Sequence, residues 1–561
     1  MPGLKVPHQL ISTEARIRAA YSESAGIYRI VPAGVATPGG IPELVELIAW
    51  ARETRSTLVA RGAGSGIPGN SGGPGVIVDL RERMPRGLEV DPVSATAVTS
   101  ANVTHAELNH AAFPHGLRLP PDPSSSVWAT LGGMVATNAA GARTVRYGPV
   151  RPWVMGMEVV TGDGEVGWLS RGESTASLLR QGVQNPGLPK AINRFHMRVA
   201  PDIRAQAALV RERFPKVRKN TSGYALDQWL ISGDDLDLLI GAEGTLGFVT
   251  AIRWRLHTIQ PGHAGLRVAL RSLDDLEEAV SRLVELDPSA VELLDRTFLD
   301  LIQFAAPAGR EPPTALALGS RLPPDAEAVL LIEFERDDAS AAKEVAGAAV
   351  RAIGHLASDV VTALSRVEEQ QLWALRHAAS PILASLPADR RSLQVIEDGC
   401  VPLSNLGEYV RAIRLAAQKE EITVVIFGHA GDGNVHVNAL PEVSRNDWLD
   451  RVIRLYEAVN RAALRLGGTV SGEHGDGRLR APFLEAQYGA QIVDFFRRVK
   501  TAFDPDGIFN PGVKLPADGP ALANLKLGPN AAEIPADIAQ ALRDIERSGG
   551  YARSRMEIAR A

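Results

Sequence analysis

From Val35 onward apolar residues recur in short, differently spaced runs. VATP predicts a strand, PELVELIAWARETR repeats its apolar positions at helical spacing, and TLVARG predicts a second strand, so the chain opens an α/β unit. Glycine and proline crowd the stretch from Gly62 to Gly75, after which VIVDL resumes as a strand. A second stretch of small residues runs from Pro120 to Gly141. It leads into another strand, MGMEVVTGDGEV, with a turn at Gly162-Asp163-Gly164. A third glycine cluster spans Gly241 to Gly247, and the first domain closes near Thr258.

Past Gln260-Pro261-Gly262 strands such as LRVAL and AVLLIEFE alternate with helical stretches such as LDDLEEAVSRLVEL and ASAAKEVAGAAVRAI. This texture predicts an antiparallel sheet flanked by helices, ending at FDPDGIFNPGVK. The expected organisation is an N-terminal extension over 1–34, a first domain over 35–258, a second over 259–514 and a tail over 515–561. The tail holds one amphipathic helix, IPADIAQALRDIERS, and reads as an appendage. No internal repeat or heptad pattern is visible, and the fold class is α+β.

Composition narrows the possibilities. A chain of 561 residues that is 45% hydrophobic and 22% charged buries substantial cores. With 60 Lys plus Arg against 65 Asp plus Glu and no run of like charges, nucleic acid is an unexpected partner. The single cysteine, Cys400, excludes an intrachain disulfide framework and a thiolate-held iron–sulfur cluster in this chain; it reads as a small buried apolar residue rather than a nucleophile. The first twenty residues lack the apolar core of a signal peptide and no run is long enough to span a bilayer, so the expected address is the cytoplasm, with peripheral membrane association left open.

The segment Arg61-Gly62-Ala63-Gly64-Ser65-Gly66-Ile67-Pro68-Gly69 contains a G-x-G-x-x-G, but the context is wrong for a Rossmann fold. That fingerprint must open a helix; here Pro68 interrupts, Asn70 and Ser71 prolong the loop, and the next element is a strand. What remains is a strand–loop–strand whose bare N–H groups can wrap a phosphate. The alternative is a long surface loop. A second loop, Pro121-Asp122-Pro123-Ser124-Ser125-Ser126, leads into Thr130-Leu131-Gly132-Gly133-Met134-Val135-Ala136-Thr137-Asn138-Ala139-Ala140-Gly141, where small residues, hydroxyls and a helix start suit a second approach to a pyrophosphate, or else close helix packing.

These two loops and Glu243-Gly244-Thr245-Leu246-Gly247 resemble the FAD-binding domain of the vanillyl-alcohol oxidase and p-cresol methylhydroxylase superfamily. The resemblance implies two α/β lobes clasping FAD. It assigns the cofactor to Arg61 through Gly66, Gly69, Asn70, Ser71, Pro121, Asp122, Ser124, Ser125, Thr130, Gly132, Gly133, Thr137, Asn138, Gly141, Glu243, Gly244, Leu246 and Gly247. The first loop has neither histidine nor cysteine, so noncovalent FAD is expected.

Two further segments are dense in ligand-type residues: Gly428-His429-Ala430-Gly431-Asp432-Gly433-Asn434-Val435-His436-Val437-Asn438 and Ser471-Gly472-Glu473-His474-Gly475-Asp476-Gly477-Arg478. VVIF and VHVN read as strands joined by a glycine turn, so His429 and His436 can face each other across a hairpin. Imidazoles with a carboxylate suit zinc or manganese. The bland alternative is a pair of structural turns. These segments resemble the C-terminal domain of FAD-linked D-lactate, glycolate and D-2-hydroxyglutarate dehydrogenases. The resemblance implies that His429, His436 and Glu473 hold a metal, that Asn438 contacts substrate or the metal's surroundings, that His474 is the catalytic base, and that Arg376 holds the substrate carboxylate, the alternative for Arg376 being a solvated helix charge. Asn510 and Lys514, in FNPGVK, lie in a motif near the flavin.

The implied chemistry is oxidation of a D-2-hydroxy acid to a 2-oxo acid with hydride transfer to FAD. It requires loss of the hydroxyl proton beside an existing carboxylate, which explains why a base, a cation and an arginine belong together. An alkyl-dihydroxyacetone-phosphate synthase-like enzyme and a non-catalytic FAD-binding electron-transfer subunit are the alternatives. The electron acceptor stays open between a quinone, an electron-transfer protein and a separate iron–sulfur subunit, as do homodimer formation and the acid's side chain. The end of the tail is similar to the connector to an iron–sulfur domain in longer fused dehydrogenases.

Overall fold

The strand–helix–strand opening folds as its spacing predicts. The computed structural model describes residues 10–561 apart from 174, 184, 306–322, 378, 385 and 388–390, so the first nine residues of the extension lie outside the described residues. In the first lobe Gly34–Ala36 and Leu58–Arg61 both run parallel to Val76–Asp79, and the helix Ile41–Thr54 makes the crossover. Leu44, Leu47, Ile48 and Ala51 give that helix one buried face, in a core shared with Val76, Val78 and Phe248. The second lobe is an antiparallel sheet of five strands in the order Leu88–Asp91, Thr96–Ser100, Phe248–Arg255, Val154–Val160 and Val166–Ser170. Its last two strands are joined by the turn at Gly162-Asp163-Gly164, where Gly164 N–H donates to Thr161 O at 2.9 Å.

The second domain is built on a seven-stranded sheet in the order Ala357–Ala363, Gly262–Leu270, Ala328–Arg336, Ala290–Asp295, Thr423–Gly428, Asn434–Leu440 and Gly399–Cys400, every neighbour antiparallel. Side chains alternate between its faces. Along Ala328–Arg336, residues Leu330, Ile332 and Phe334 join the core made with helices Leu276–Val284, Ala339–Ile353, Leu406–Lys419 and Trp448–Arg465. Glu333 and Glu335, on the opposite face, meet Arg143 and Arg118 of the first domain. These acids are buried by domain packing, which is why an otherwise apolar strand carries them.

Two features depart from the expected organisation. Before the chain reaches Lys514 it returns to the first domain: Ala481, Leu484, Tyr488, Ile492, Phe496 and Phe503 bury in the core of the five-stranded lobe. An apolar helix face carries no address, so its sequence position suggested the wrong partner. The tail, expected to be an appendage, also belongs to a core. Its helices Ala536–Ser548 and Arg555–Arg560 pack on helix Ala15–Ala20 of the extension and against Val35, Val59 and Ile77 of the first lobe.

Candidate active site

The glycine-rich loops converge on one cleft with about 1810 Å³ of empty space, its open mouth included. Its wall includes Arg61, Gly62, Ala63, Gly64, Ser65, Gly66, Asn70 and Ser71 from the first loop, Ser124, Ser125, Thr130, Gly132, Gly133 and Thr137 from the second, and Glu243, Gly244 and Gly247 from the third. The loops touch: a Cβ at Gly62 would lie 2.2 Å from Thr130 Oγ1. Thr130 in turn caps the helix Leu131–Thr137, its hydroxyl accepting from Gly133 N–H.

Eight residues assigned to the cofactor do not line the cleft: Gly69, Pro121, Asp122, Asn138, Gly141, Leu246, Asn510 and Lys514. They hold its frame. Gly69 packs against the Tyr28 ring, Pro121 and Leu246 are buried, and Asp122 pairs with Arg143. Asn138 Oδ1 accepts from Arg151 N–H at 3.1 Å, and Gly141 O accepts from Lys219 Nζ at 3.0 Å. Asn510 donates to Asn70 O at 2.7 Å and Glu243 O at 3.0 Å, tying the first loop to the third. Lys514, fully buried, donates to Thr221 O and Gly223 O and pairs with Glu243 and Asp476 at 3.1 Å each. Glu243 itself lines the cleft, but its carboxylate accepts from Asp476 N–H at 2.8 Å and Gly477 N–H at 2.9 Å, latching the two domains together.

At the other end of the same cleft stand Arg376, Gln394, Glu397, Phe427, His429, His436, Asn438, Glu473 and His474. The hairpin forms, but its register sets Phe427 rather than His429 opposite His436; His429 leads the turn, and the two imidazole rings still meet with centroids 5.0 Å apart. Glu473 sits at the centre. Its Oε1 lies 3.0 Å from His429 Nε2, 3.3 Å from His436 Nε2 and 3.6 Å from His474 Nε2, while its Oε2 accepts from Lys219 Nζ at 2.8 Å. Each imidazole is oriented from behind: Nδ1 of His429 by Glu292 Oε1 at 2.5 Å, of His436 by Glu397 O at 2.7 Å, and of His474 by Glu397 Oε2 at 2.5 Å. Asp398 accepts from the backbone N–H groups of Glu473 and His474 and fixes their loop. Arg376 donates through Nε to Glu292 Oε2 at 2.7 Å and lies over the Phe427 ring at 4.8 Å. Asn438 Oδ1 accepts from Ser392 Oγ at 2.8 Å, which leaves its amide N–H groups as its contribution to the cleft.

This end carries more acid than its fixed cations offset. Glu292, Glu397, Asp398, Asp432 and Glu473 face Lys219, Arg376 and Arg480. Burial pushes the His429 imidazolium downward, yet Glu292 and Glu473 outweigh it and raise the group to about 9. His474 ends at about 9 for the same reason, with Glu397 and Asp398 overcoming burial. His436 is held below its ordinary value by burial and its two neighbouring imidazoles. Glu473 lies well below the carboxylate range because Lys219 and His429 outweigh its burial. Two imidazoles that hold protons and a third that is neutral, gathered around one carboxylate oxygen, form a set that can exchange protons for a cation.

Several members of this network were not picked out by sequence reasoning. Lys219, fully buried, reaches from the first domain to Glu473 and to Asp432 at 3.3 Å. Glu292 joins Arg376 to His429. Glu397 serves two histidines and pairs with Arg480. The available signal was an acid inside an apolar run, as in AVELLD and VIEDGC, because a buried charge needs a partner. Lys219 carried no comparable mark.

Residues 32–170 match the model of an FAD binding domain, and residues 264–513 match the C-terminal domain of FAD linked oxidases. The chain is 29% identical to the glycolate oxidase subunit GlcD of Bacillus subtilis, over 88% of this chain and 92% of that protein. It is 29% identical to a D-lactate dehydrogenase of Archaeoglobus fulgidus (85% and 90% covered) and 28% identical to a D-2-hydroxyglutarate dehydrogenase of Escherichia coli (90% of this chain, 50% of that longer protein). Among solved structures, a 4-ethylphenol oxidase from Gulosibacter chungangensis superposes with a TM-score of 0.64 at 15% identity, covering 91% of this chain and 95% of that one. An alkyldihydroxyacetonephosphate synthase superposes with a TM-score of 0.59 at 15% identity, over 90% and 84%. At such identities the two structures speak for the fold alone.

Proposed function

The chain belongs to the FAD-linked oxidases of the p-cresol methylhydroxylase type, in the glycolate, D-lactate and D-2-hydroxyglutarate dehydrogenase branch, and from that premise we propose that it oxidises a D-2-hydroxy acid to the 2-oxo acid with the aid of a divalent cation. The observation that carries this reading is the continuity of one cleft from the glycine-rich loops to the imidazole cluster. The two ends touch directly: Asn70 of the first loop donates to His474 O at 3.4 Å.

The residues fit both groups. Glycines and hydroxyls leave backbone N–H groups bare along the loops, as an FAD pyrophosphate requires. His429, His436 and Glu473 offer donors within 4.8 Å of one another, and ligand bonds of about 2.0–2.2 Å accommodate donor separations of about 3–3.5 Å, close to the 3.0 and 3.3 Å found. When bound, FAD supplies the acceptor for the α-hydrogen as hydride, and the cation supplies positive charge beside the reacting hydroxyl.

The chain's own side chains do the rest. Arg376, braced by Glu292 and Phe427, grips the substrate carboxylate and orients the α-carbon. His474, its Nδ1 facing Glu397 Oε2 at 2.5 Å, takes the hydroxyl proton at Nε2 once it has shed the proton that Glu397 and Asp398 favour on it up to about pH 9, and Glu397 stabilises the imidazolium that results. Asn438 donates an N–H to a substrate oxygen. Glu292 contacts both Arg376 and His429, so carboxylate grip and cation ligand share one support.

The test is anaerobic stopped-flow of the purified protein at the flavin absorption band against D- and L-2-hydroxy acids, with and without chelator. Bleaching by a D-acid that is lost on chelation is expected. A colourless protein that FAD cannot reconstitute, or a flavin that no hydroxy acid reduces, overturns the reading.

A further inference from the structure

The matched domains begin at residue 32 and end at residue 513, yet the chain on either side is folded against the glycine-rich wall of the cleft. On the N-terminal side Ala25 N–H donates to Gly64 O at 2.9 Å, and Arg61 Nη2 donates to Glu23 O at 2.8 Å. Gly26 sits so close that a Cβ would lie 1.7 Å from Ile67 O. The tail grips this segment from its other side. Lys526 N–H donates to Ile27 O and Arg29 N–H to Asn524 O, both at 2.8 Å, and Tyr28 Oη donates to Ala521 O at 2.7 Å.

The tail then reaches the mouth of the cleft at a second place. Arg81, which lines the cleft, donates to Tyr551 O at 2.8 Å and Ala552 O at 2.5 Å. Trp128 lies between the cleft-lining residues Ser125 and Ala129, and its ring packs against that of Tyr551 with centroids 5.9 Å apart. A Cβ at Gly549 would come 2.8 Å from the same indole. The turn 549–552 therefore bridges the first lobe, through Arg81, and the second loop, through Trp128.

We propose that the two chain ends form a belt that holds the glycine-rich wall in its cofactor-binding shape, so that retention of FAD depends on residues far outside the loops that touch it. The inference rests on the FAD reading above. Glycines at 62, 64, 66 and 69 each have more backbone freedom to lose on ordering than any other residue would there, and that loss weakens binding unless the loop is ordered beforehand. The belt orders it beforehand.

The 561-residue chain, stripped of FAD, is titrated with FAD by flavin fluorescence. Gly26→Ala, which drives the extension off Ile67, is expected to weaken FAD binding at least ~10-fold, and Gly549→Val, which is strained and collides with Trp128, by about 3- to 10-fold. Tyr551→Ala, which removes only the ring, is expected to cost about 3-fold and decides the matter should a glycine variant fail to fold. Val329→Ala, a truncation in the second domain's separate core around Leu294 and Phe298, serves as control: its Tm falls while FAD affinity holds. Affinity for Mn²⁺ stays unchanged in all four. If the unaltered chain binds FAD and the folded belt variants bind it within twofold, the belt is refuted; if the unaltered chain binds no FAD, the functional reading fails first.

Discussion

The two ends of the cleft are made of different material. Around Gly62–Gly66 and Ser124–Gly133 the wall is backbone, exposed because side chains are small. Around Glu473 it is side chains: three imidazoles, four further carboxylates and three fixed cations, each oriented by another. A backbone site depends on loop shape and is blind to pH. A side-chain site depends on charge, and each member lost leaves a buried partner unpaired.

The largest test of this difference is Glu473→Gln. It keeps the shape but removes the charge on which the three Nε2 atoms converge, so divalent-cation binding should be lost and turnover should fall at least ~10³-fold while FAD stays bound; metal analysis and the visible spectrum check both. His474→Ala should lower the rate of flavin reduction by about 10²–10³-fold with both FAD and cation retained, as rapid-mixing kinetics would show. Gly62→Val is the converse. Its side chain collides with Thr130, so FAD affinity should drop about 100-fold whereas cation affinity, measured by titration calorimetry, should not move.

The broadest effect is pH. His429 stands at about 9 in the cation-free protein against an ordinary 6.5, so the stability it contributes is fully present below pH 6.5 and is lost as pH rises through 9. The cation-free Tm should therefore decline over that window. Because a cation must displace this proton, its apparent affinity should weaken about tenfold per unit as pH falls from 9 towards 6.5, while FAD affinity stays flat over the same range. Parallel pH dependence at both ends would erase the distinction between them.

Legibility followed the same division. Local spacing suffices for the strands and helices of the first lobe, for the hairpin that carries His436, and for the antiparallel sheet flanked by helices. The two motif-rich segments of the second domain bring together His429, His436, Glu473 and His474, and Arg376 and Asn438 stand at the same end of the cleft. What spacing missed was support. Asn510 and Lys514, singled out only as lying near the flavin, brace the loops from behind the wall, and Lys219, Glu292 and Glu397 reach the cluster from positions 39 to 254 residues away from their partners. Likewise, residues 481–503 and the tail carry apolar faces whose destinations lie in the first domain.

By itself, then, the sequence determined which elements form and which chemistry-bearing side chains they present, because periodicity, glycine and ligand-type residues act within a few positions of one another. Only the tertiary structure decided which carboxylate faces which imidazole, which lysine holds Glu473 and how the chain ends close on the glycine loops. Those choices rest on charges and apolar faces that must find partners once water is excluded, and a partner hundreds of residues distant leaves no mark on local spacing.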